Sequence, residues 1–215
     1  MNDTINIYAE KEQQKNNIST VVKELIAPKL KGTVLDVGFG NGDYLEYFSS
    51  LGHICEGLDG SSKNVEKMSE KGFTVAQANF NNPLPYEDNT IDVVFCSHVL
   101  EHIESPYNFI HELSRITKSG GMLIIGIPLE FSLYMKLLRD DYYESHEGHL
   151  YSFSSKGMRA LLKLNGIEVR KQYYNILLLN RLGLKKLTRY FQIFPPFDKF
   201  YGLFSNELWT IGNKI

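Results

Sequence analysis

The sequence predicts an α/β fold in which short apolar strands alternate with amphipathic helices. Three observations predict it. Val34, Leu35 and Val37 form an apolar, β-favouring run, followed by Gly38, Gly40 and Gly42 and then by Tyr44, Leu45, Tyr47, Phe48 and Leu51 at helical spacing. That pattern is strand, tight turn and helix. A second short run, Ile54 to Leu58, ends in Asp59, 21 residues after Gly38. Further apolar runs at 73–76, 93–96, 122–127 and 167–174 are separated by helical patterns, as expected of strands joined by crossover helices.

The glycine spacing narrows the ligand. A dinucleotide-binding turn places glycines at relative positions 1, 3 and 6. Here the third glycine comes one residue early and Asp43 holds the sixth position. A carboxylate at a helix N-terminus suits a pyrophosphate poorly, and Asp36 adds negative charge in front of the turn. The turn therefore prefers a neutral or cationic group, such as an amino-acid ammonium or a sulfonium. A turn that only packs helix on sheet is the alternative.

The 215 residues, 43% of them hydrophobic, suit a single domain over 1–215 with a sizeable core. Residues 1–32 read as a polar arm followed by a helix carrying Ile18, Val21, Val22, Leu25, Ile26 and Leu30. The start lacks an apolar leader and no apolar run reaches the length of a membrane span, so a cytoplasmic location is expected. Cys55 and Cys96 lie in apolar runs and read as free thiols. Zinc-type spacing is absent and no metal is expected. Residues 1–155 carry 12 Lys/Arg against 22 Asp/Glu, whereas 156–215 carry 11 against 3; the basic excess implies either a basic face or charges on opposite sides of one fold.

The elements follow in order. The first strand spans 33–37 and its helix about 43–51. The second strand ends at Asp59, whose carboxylate can accept both hydroxyls of a ribose or cap the turn Asp59-Gly60-Ser61-Ser62 before the next helix. The third strand, 73–76, leads into Ala78-Asn79-Phe80. The turn-rich stretch 84–92 enters the fourth strand, 93–96, which runs into Ser97-His98-Val99-Leu100-Glu101-His102. Ser97 and His98 thus stand at the carboxyl end of the sheet, where open α/β sheets bind ligands. Pro106 opens a helix closed by Ser119-Gly120-Gly121, and the fifth strand is 122–127. Residues 131–138 suggest a short lid helix. Acids, tyrosines, His146 and His149 then gather over 139–153. The last helix is capped at Ser154, the sixth strand is 167–174, and the final strand is 207–212.

The stretch Leu35-Asp36-Val37-Gly38-Phe39-Gly40-Asn41-Gly42 resembles the first motif of the class I S-adenosylmethionine-dependent methyltransferases, and the resemblance runs from about Thr33 to Val169. It implies a Rossmann-like, seven-stranded sheet, mostly parallel with an antiparallel last strand, and S-adenosylmethionine as cofactor. It also implies that Gly38, Gly40 and the turn backbone face the methionine part of the cofactor, that Asp59 holds the ribose, that Asn79 accepts from the adenine amino group, and that Asp36, Phe39, Gly60 and Ser97 belong to the same cofactor site; Phe80 either lies on the adenine face or packs in the core. The family usually has Asp where Asn79 stands; the Asn carbonyl still accepts, without the charge. The run before Ser154 resembles a branch in which a histidine precedes the helix, and His149 matches it. For an acceptor hydroxyl, His149, His98 and His146 are the candidates for proton chemistry by residue type; each has a structural alternative, fastening a loop or a helix.

The usual marker of amino-group or adenine methylation, Asn or Asp followed by Pro-Pro and an aromatic, is replaced by Ser97-His98-Val99-Leu100. The expected acceptor is a small molecule, a saccharide or a lipid-linked compound, methylated on O or N, with no nucleic-acid partner. A non-catalytic cofactor-binding subunit and an NAD(P)-dependent oxidoreductase remain as alternatives. Residues 175–205 form an apolar insert with interleaved Lys185, Lys186, Arg189 and Lys199. They read either as a peripheral membrane contact over the substrate cleft or as a helical subdomain that packs on the sheet edge or forms a homodimer surface.

Overall fold

The computed structural model describes residues 18–129, 149–175 and 205–215. The arm over 1–12, the lid over 131–138, His146 and nearly all of the 175–205 insert lie outside the described residues.

Seven strands form one sheet: β1 (Thr33–Val37), β2 (Ile54–Asp59), β3 (Thr74–Gln77), β4 (Ile91–Ser97), β5 (Thr117–Pro128), β6 (Ile167–Asn175) and β7 (Glu207–Lys214). Their spatial order is β3-β2-β1-β4-β5-β7-β6. β1 to β5 pair in parallel, and β7 runs antiparallel to both β5 and β6. The α-helices among the described residues are α1 (Asp43–Ser50), α2 (Ser62–Glu70), α3 (Pro106–Ile116) and α4 (Ser155–Leu164). Strand order reverses between β1 and β4, and such a reversal opens a crevice at the carboxyl ends of the two strands.

Both faces of the sheet are covered, so neighbouring strand residues supply separate cores. Leu35, Val94, Leu123, Ile125 and Leu208 face a cluster with Phe109, Ile110 and Leu113 of α3 and Met158 and Leu162 of α4. Val34, Val93, Phe95, Ile124 and Trp209 face the other way, onto Phe48 of α1 and Val21, Val22 and Ile26. The segment before β1 therefore lies against the sheet. It is less regular than its apolar spacing predicts: a wide π turn at Val22–Ile26 passes into a 3-10 turn at Ala27–Lys29. Pro28 supplies no backbone N–H there and cannot continue the ladder.

β5 also departs from expectation. Thr117 already pairs with Ile91, and the register then shifts, so that Val93 meets Met122. Ser119-Gly120-Gly121 is thus an irregularity within the strand rather than a loop before it; Gly120 has φ +76°. Arg115 braces the same end. Its guanidinium donates to the carbonyls of Leu84 and Tyr86 and to the carboxylates of Asp88 and Glu112, which holds the loop before β4 on α3.

Trp209 is wholly buried and stacks on Phe95 at 5.5 Å. It pairs across the ladder with Gly126, and a Cβ on Gly126 would lie 2.6 Å from its ring. Its indole N–H donates to Glu207 at 3.0 Å, so the packing of Trp209 also sets a carboxylate at the end of the sheet. Gly126→Ala should cost ~1–3 kcal/mol through overpacking. Urea denaturation checks this; an unchanged midpoint would mean that the indole can move aside freely.

Candidate active site

The site begins at the turn between β1 and α1. The Gly38 N–H donates to the Leu58 carbonyl at 2.7 Å. Gly38 has φ +81°, and a Cβ there would lie 2.1 Å from Val99 Cγ2. Gly42, at φ +86°, opens α1 with no side-chain cap, and its Cβ would meet the Met68 sulfur at 2.3 Å. Side chains are therefore excluded twice, by backbone conformation and by space. Between these glycines Phe39 turns inward, buried with Leu45 and Met68. It anchors the turn, and only its backbone lies at the turn's surface.

Asp59 ties this turn to the next. One carboxylate oxygen accepts the Gly40 N–H at 2.8 Å; the other accepts the Ser61 N–H at 2.8 Å and the Asn64 amide at 3.2 Å. Asp59 thus holds the turn before α2, and Ser61 is the N-cap, its hydroxyl accepting from the Asn64 N–H. Gly60 accepts from the Gln77 amide at 2.9 Å. Asp36 is 1% exposed, and among the described residues neither of its carboxylate oxygens has a hydrogen-bond partner. Burial and then the charge of Asp59 hold its carboxyl well above the usual range. Tyr44 of α1, which the sequence marked only as apolar, places its hydroxyl by Ser97 and near Asp36 and Glu207; burial raises its pKa.

β4 ends at Ser97, and His98 follows with φ +55°, a conformation uncommon outside glycine and frequent at functional sites. Its N–H donates to the Gly126 carbonyl at 2.9 Å. The imidazole stands between two acids, Nδ1 at 3.6 Å from Glu101 and Nε2 at 3.5 Å from Glu207. Burial alone would lower its pKa, but the two carboxylates outweigh that and raise it to about 10. His98 is therefore a cation at neutral pH and has no free base to offer while both acids are in place. Glu207 is held at about 2: burial opposes its charge, but His98, the Trp209 indole and the Asn175 amide favour it more strongly. Asn175 and Trp209 both donate to the same Glu207 oxygen at 3.0 Å.

Asn79 and Phe80 follow β3, brought to this edge by a bond from the Ala78 N–H to the Asp59 carbonyl at 2.9 Å. Asn79 is exposed and its side chain accepts the Asn81 N–H at 3.0 Å. Phe80 is half-buried on Phe109, ring centroids 5.6 Å apart. His149 lies against His102, with centroids 4.7 Å apart and planes at 68°.

Asp36, Gly38, Gly40, Asp59, Gly60, Ser97 and His98 are thus gathered at the carboxyl ends of β1, β2 and β4, and His149 borders the turn after β4. Tyr44 and Glu207 were missed. Tyr44 sits in a helical apolar pattern that hides its hydroxyl, and Glu207 carries no local motif. Glu101 is 1% exposed and faces His98.

A methyltransferase-domain family model matches residues 35–125. An uncharacterized protein of Methanocaldococcus jannaschii is 30% identical over 170 residues, 79% of this chain and 72% of that protein. An uncharacterized methyltransferase of Mycobacterium tuberculosis is 32% identical over 105 residues, 46% of this chain; the chain covers only 40% of that relative's length. The fold matches that of a S-adenosylmethionine-dependent methyltransferase from Archaeoglobus fulgidus with a TM-score of 0.70 at 18% identity, over 97% of this chain and 98% of that one. With the glycine turn and its acidic surroundings in the motif's place, the chain belongs to the class I S-adenosylmethionine-dependent methyltransferases.

Proposed function

We propose that this methyltransferase moves a methyl group to an oxygen or nitrogen of a small-molecule, saccharide or lipid-linked acceptor. The observation that carries the cofactor side is Asp36. A buried carboxylate with both oxygens unpartnered is costly, and its cost falls when a cation comes to it. Asp36 and Asp59 together make an electronegative floor beneath the glycine turn, suited to an ammonium and a sulfonium. When bound, S-adenosylmethionine supplies a methyl group made electrophilic by the positive sulfur. Gly38 and Gly40 let backbone approach the methionine part. Asp59, fixed by Gly40 and Ser61, would accept from ribose hydroxyls at its remaining lone pairs. Asn79 and Phe80 border the adenine end.

The acceptor side rests on the turn after β4. Ser97-His98-Val99-Leu100 stands there in place of the segment that flanks a methylated base or amide. Methyl transfer needs the nucleophile aligned with the carbon–sulfur bond more than it needs covalent help. An acceptor hydroxyl must also shed a proton. His98 lies between two acids that raise its pKa, and in this reading His149 would act on that proton instead. Among the described residues no helix is long and apolar enough to cross a membrane. The insert over 175–205 is proposed to cover the acceptor or to join a second copy of the chain. Extracts incubated with isotope-labelled S-adenosylmethionine and the enzyme, read by mass spectrometry, identify the acceptor; label found only on nucleic acid would overturn the acceptor class.

Asp36→Asn should weaken S-adenosylmethionine binding at least about tenfold by calorimetry. It should also change the pH dependence of stability. The folded-state pKa of Asp36 is raised, so the wild type loses stability as pH climbs from about 4, the unfolded value, through the raised pKa. The variant lacks that loss, and the difference in unfolding free energy should shift in its favour as pH rises. A difference independent of pH would mean that Asp36 is not the burdened group.

For a hydroxyl acceptor, His149→Ala should lower kcat about tenfold or more and leave the cofactor Kd within about twofold. Steady-state kinetics beside calorimetry separates the two; a normal kcat would leave His149 a structural role.

A further inference from the structure

The turn after β4 and the segment returning before α4 meet at three ligating side chains. A 3-10 turn at Leu100–His102 sets Glu101 and His102 side by side. The chain comes back at His149, and the N–H groups of Leu150 and Tyr151 donate to the Glu101 carbonyl at 2.7 and 3.3 Å. The Tyr151 hydroxyl donates to the Glu104 carbonyl at 3.0 Å. These backbone anchors, not a local motif, hold His149 over His102. One ligating atom from each of Glu101, His102 and His149 lies within 4.8 Å of the others.

Glu101 sharpens the case. It is 1% exposed, and among the described residues neither of its carboxylate oxygens has a hydrogen-bond partner. Its nearest cationic group is His98, at 3.6 Å from one oxygen, beyond hydrogen-bond distance. His98 already offsets part of this buried charge, and His102 and His149 bring two further ligating atoms to the same carboxylate.

We propose that Glu101, His102 and His149 form a site for one divalent transition-metal cation on the acceptor side of the cleft. Two imidazoles and one carboxylate suit Zn²⁺, Mn²⁺ or Fe²⁺ better than Ca²⁺ or Mg²⁺, which favour oxygen ligands. Tetrahedral zinc at 2.0–2.1 Å sets its ligands about 3.3 Å apart, so closing the site takes modest side-chain rotation. Three protein ligands leave a coordination position open, as in sites that bind substrate rather than staple a fold. His98, clamped by Glu207, orients the Glu101 carboxylate from behind.

The role of the cation rests on the proposed acceptor chemistry. An acceptor hydroxyl at the open position gives up its proton to solvent water more readily. Its oxygen then forms the bond to the methyl carbon as the carbon–sulfur bond breaks, and the electron pair returns to sulfur. In the cation-loaded enzyme His149 is a ligand, and the cation takes over activation of the hydroxyl.

The test is calorimetric titration of chelator-treated, full-length protein with ZnCl₂ and with MnCl₂, alongside a separate titration with S-adenosylmethionine. The expected result is saturable binding of one cation per chain, weakened at least about tenfold in His102→Ala, in His149→Ala and in Glu101→Gln. S-adenosylmethionine binding retained in the two histidine variants shows that they are folded. If Glu101→Gln fails to fold, the half-buried histidines still decide the matter. Absence of one-to-one binding by the wild type overturns the site, as does equal cation affinity in wild type and both histidine variants. Cation binding without S-adenosylmethionine binding would sustain the site while removing the cofactor assignment.

Discussion

The site depends on the Asp59 carboxylate. It joins two turns that the chain makes independently, accepting from Gly40 on one side and from Ser61 and Asn64 on the other. Charge-assisted bonds to backbone N–H groups are among the stronger hydrogen bonds in proteins. Here they also set a shape. With Gly40 held to Asp59, the glycine turn cannot drift away from the end of β2, and the crevice between β1 and β4 keeps its floor. Gly38 and Gly42 complete the constraint, because Val99 and Met68 already occupy the space where side chains would stand.

On that floor, charge is arranged unevenly. Asp36, Asp59, Glu101 and Glu207 face one crevice, and His98 is held as a cation between two of them. Glu101 and Glu207 are thereby partly neutralised. Asp36 is left as a buried carboxyl whose charge is disfavoured until something positive arrives. A sulfonium cofactor meets that requirement and a pyrophosphate does not. Functional sites commonly retain such local destabilisation because the rest of the fold holds them in place. Here the support comes from Trp209, buried against Phe95 and Gly126, whose indole helps fix Glu207.

Much of this was legible along the chain. The strand–turn–helix at 33–51 follows from local rules, since glycines at 38, 40 and 42 permit positive φ and the apolar period changes from two to that of a helix. Ser61 and Ser154 were readable as caps, and both accept from backbone N–H groups three residues on. The errors lie where a local signal met a stronger tertiary one. Pro28 broke a helical pattern into π and 3-10 turns. Thr117, expected inside a helix-to-strand link, was drawn into the sheet by pairing with Ile91. Phe39 is no such case: its ring joins the core with Leu45 and Met68 while its backbone stays in the glycine turn.

By itself the sequence determined the class of fold, the glycine turn and the preference for a neutral or cationic ligand over a pyrophosphate, because each of these follows from residues close in the chain. Only the tertiary structure set His98 between Glu101 and Glu207, two carboxylates that raise its pKa. That outcome needs Glu207, more than 100 residues away, delivered to His98 by the antiparallel pairing of β7 with β5. It also decided that His149 lies over His102, through bonds to the Glu101 carbonyl from a segment some 50 residues later. Protonation and ligation depend on distances of a few ångströms between groups remote in sequence, and no local propensity encodes those distances.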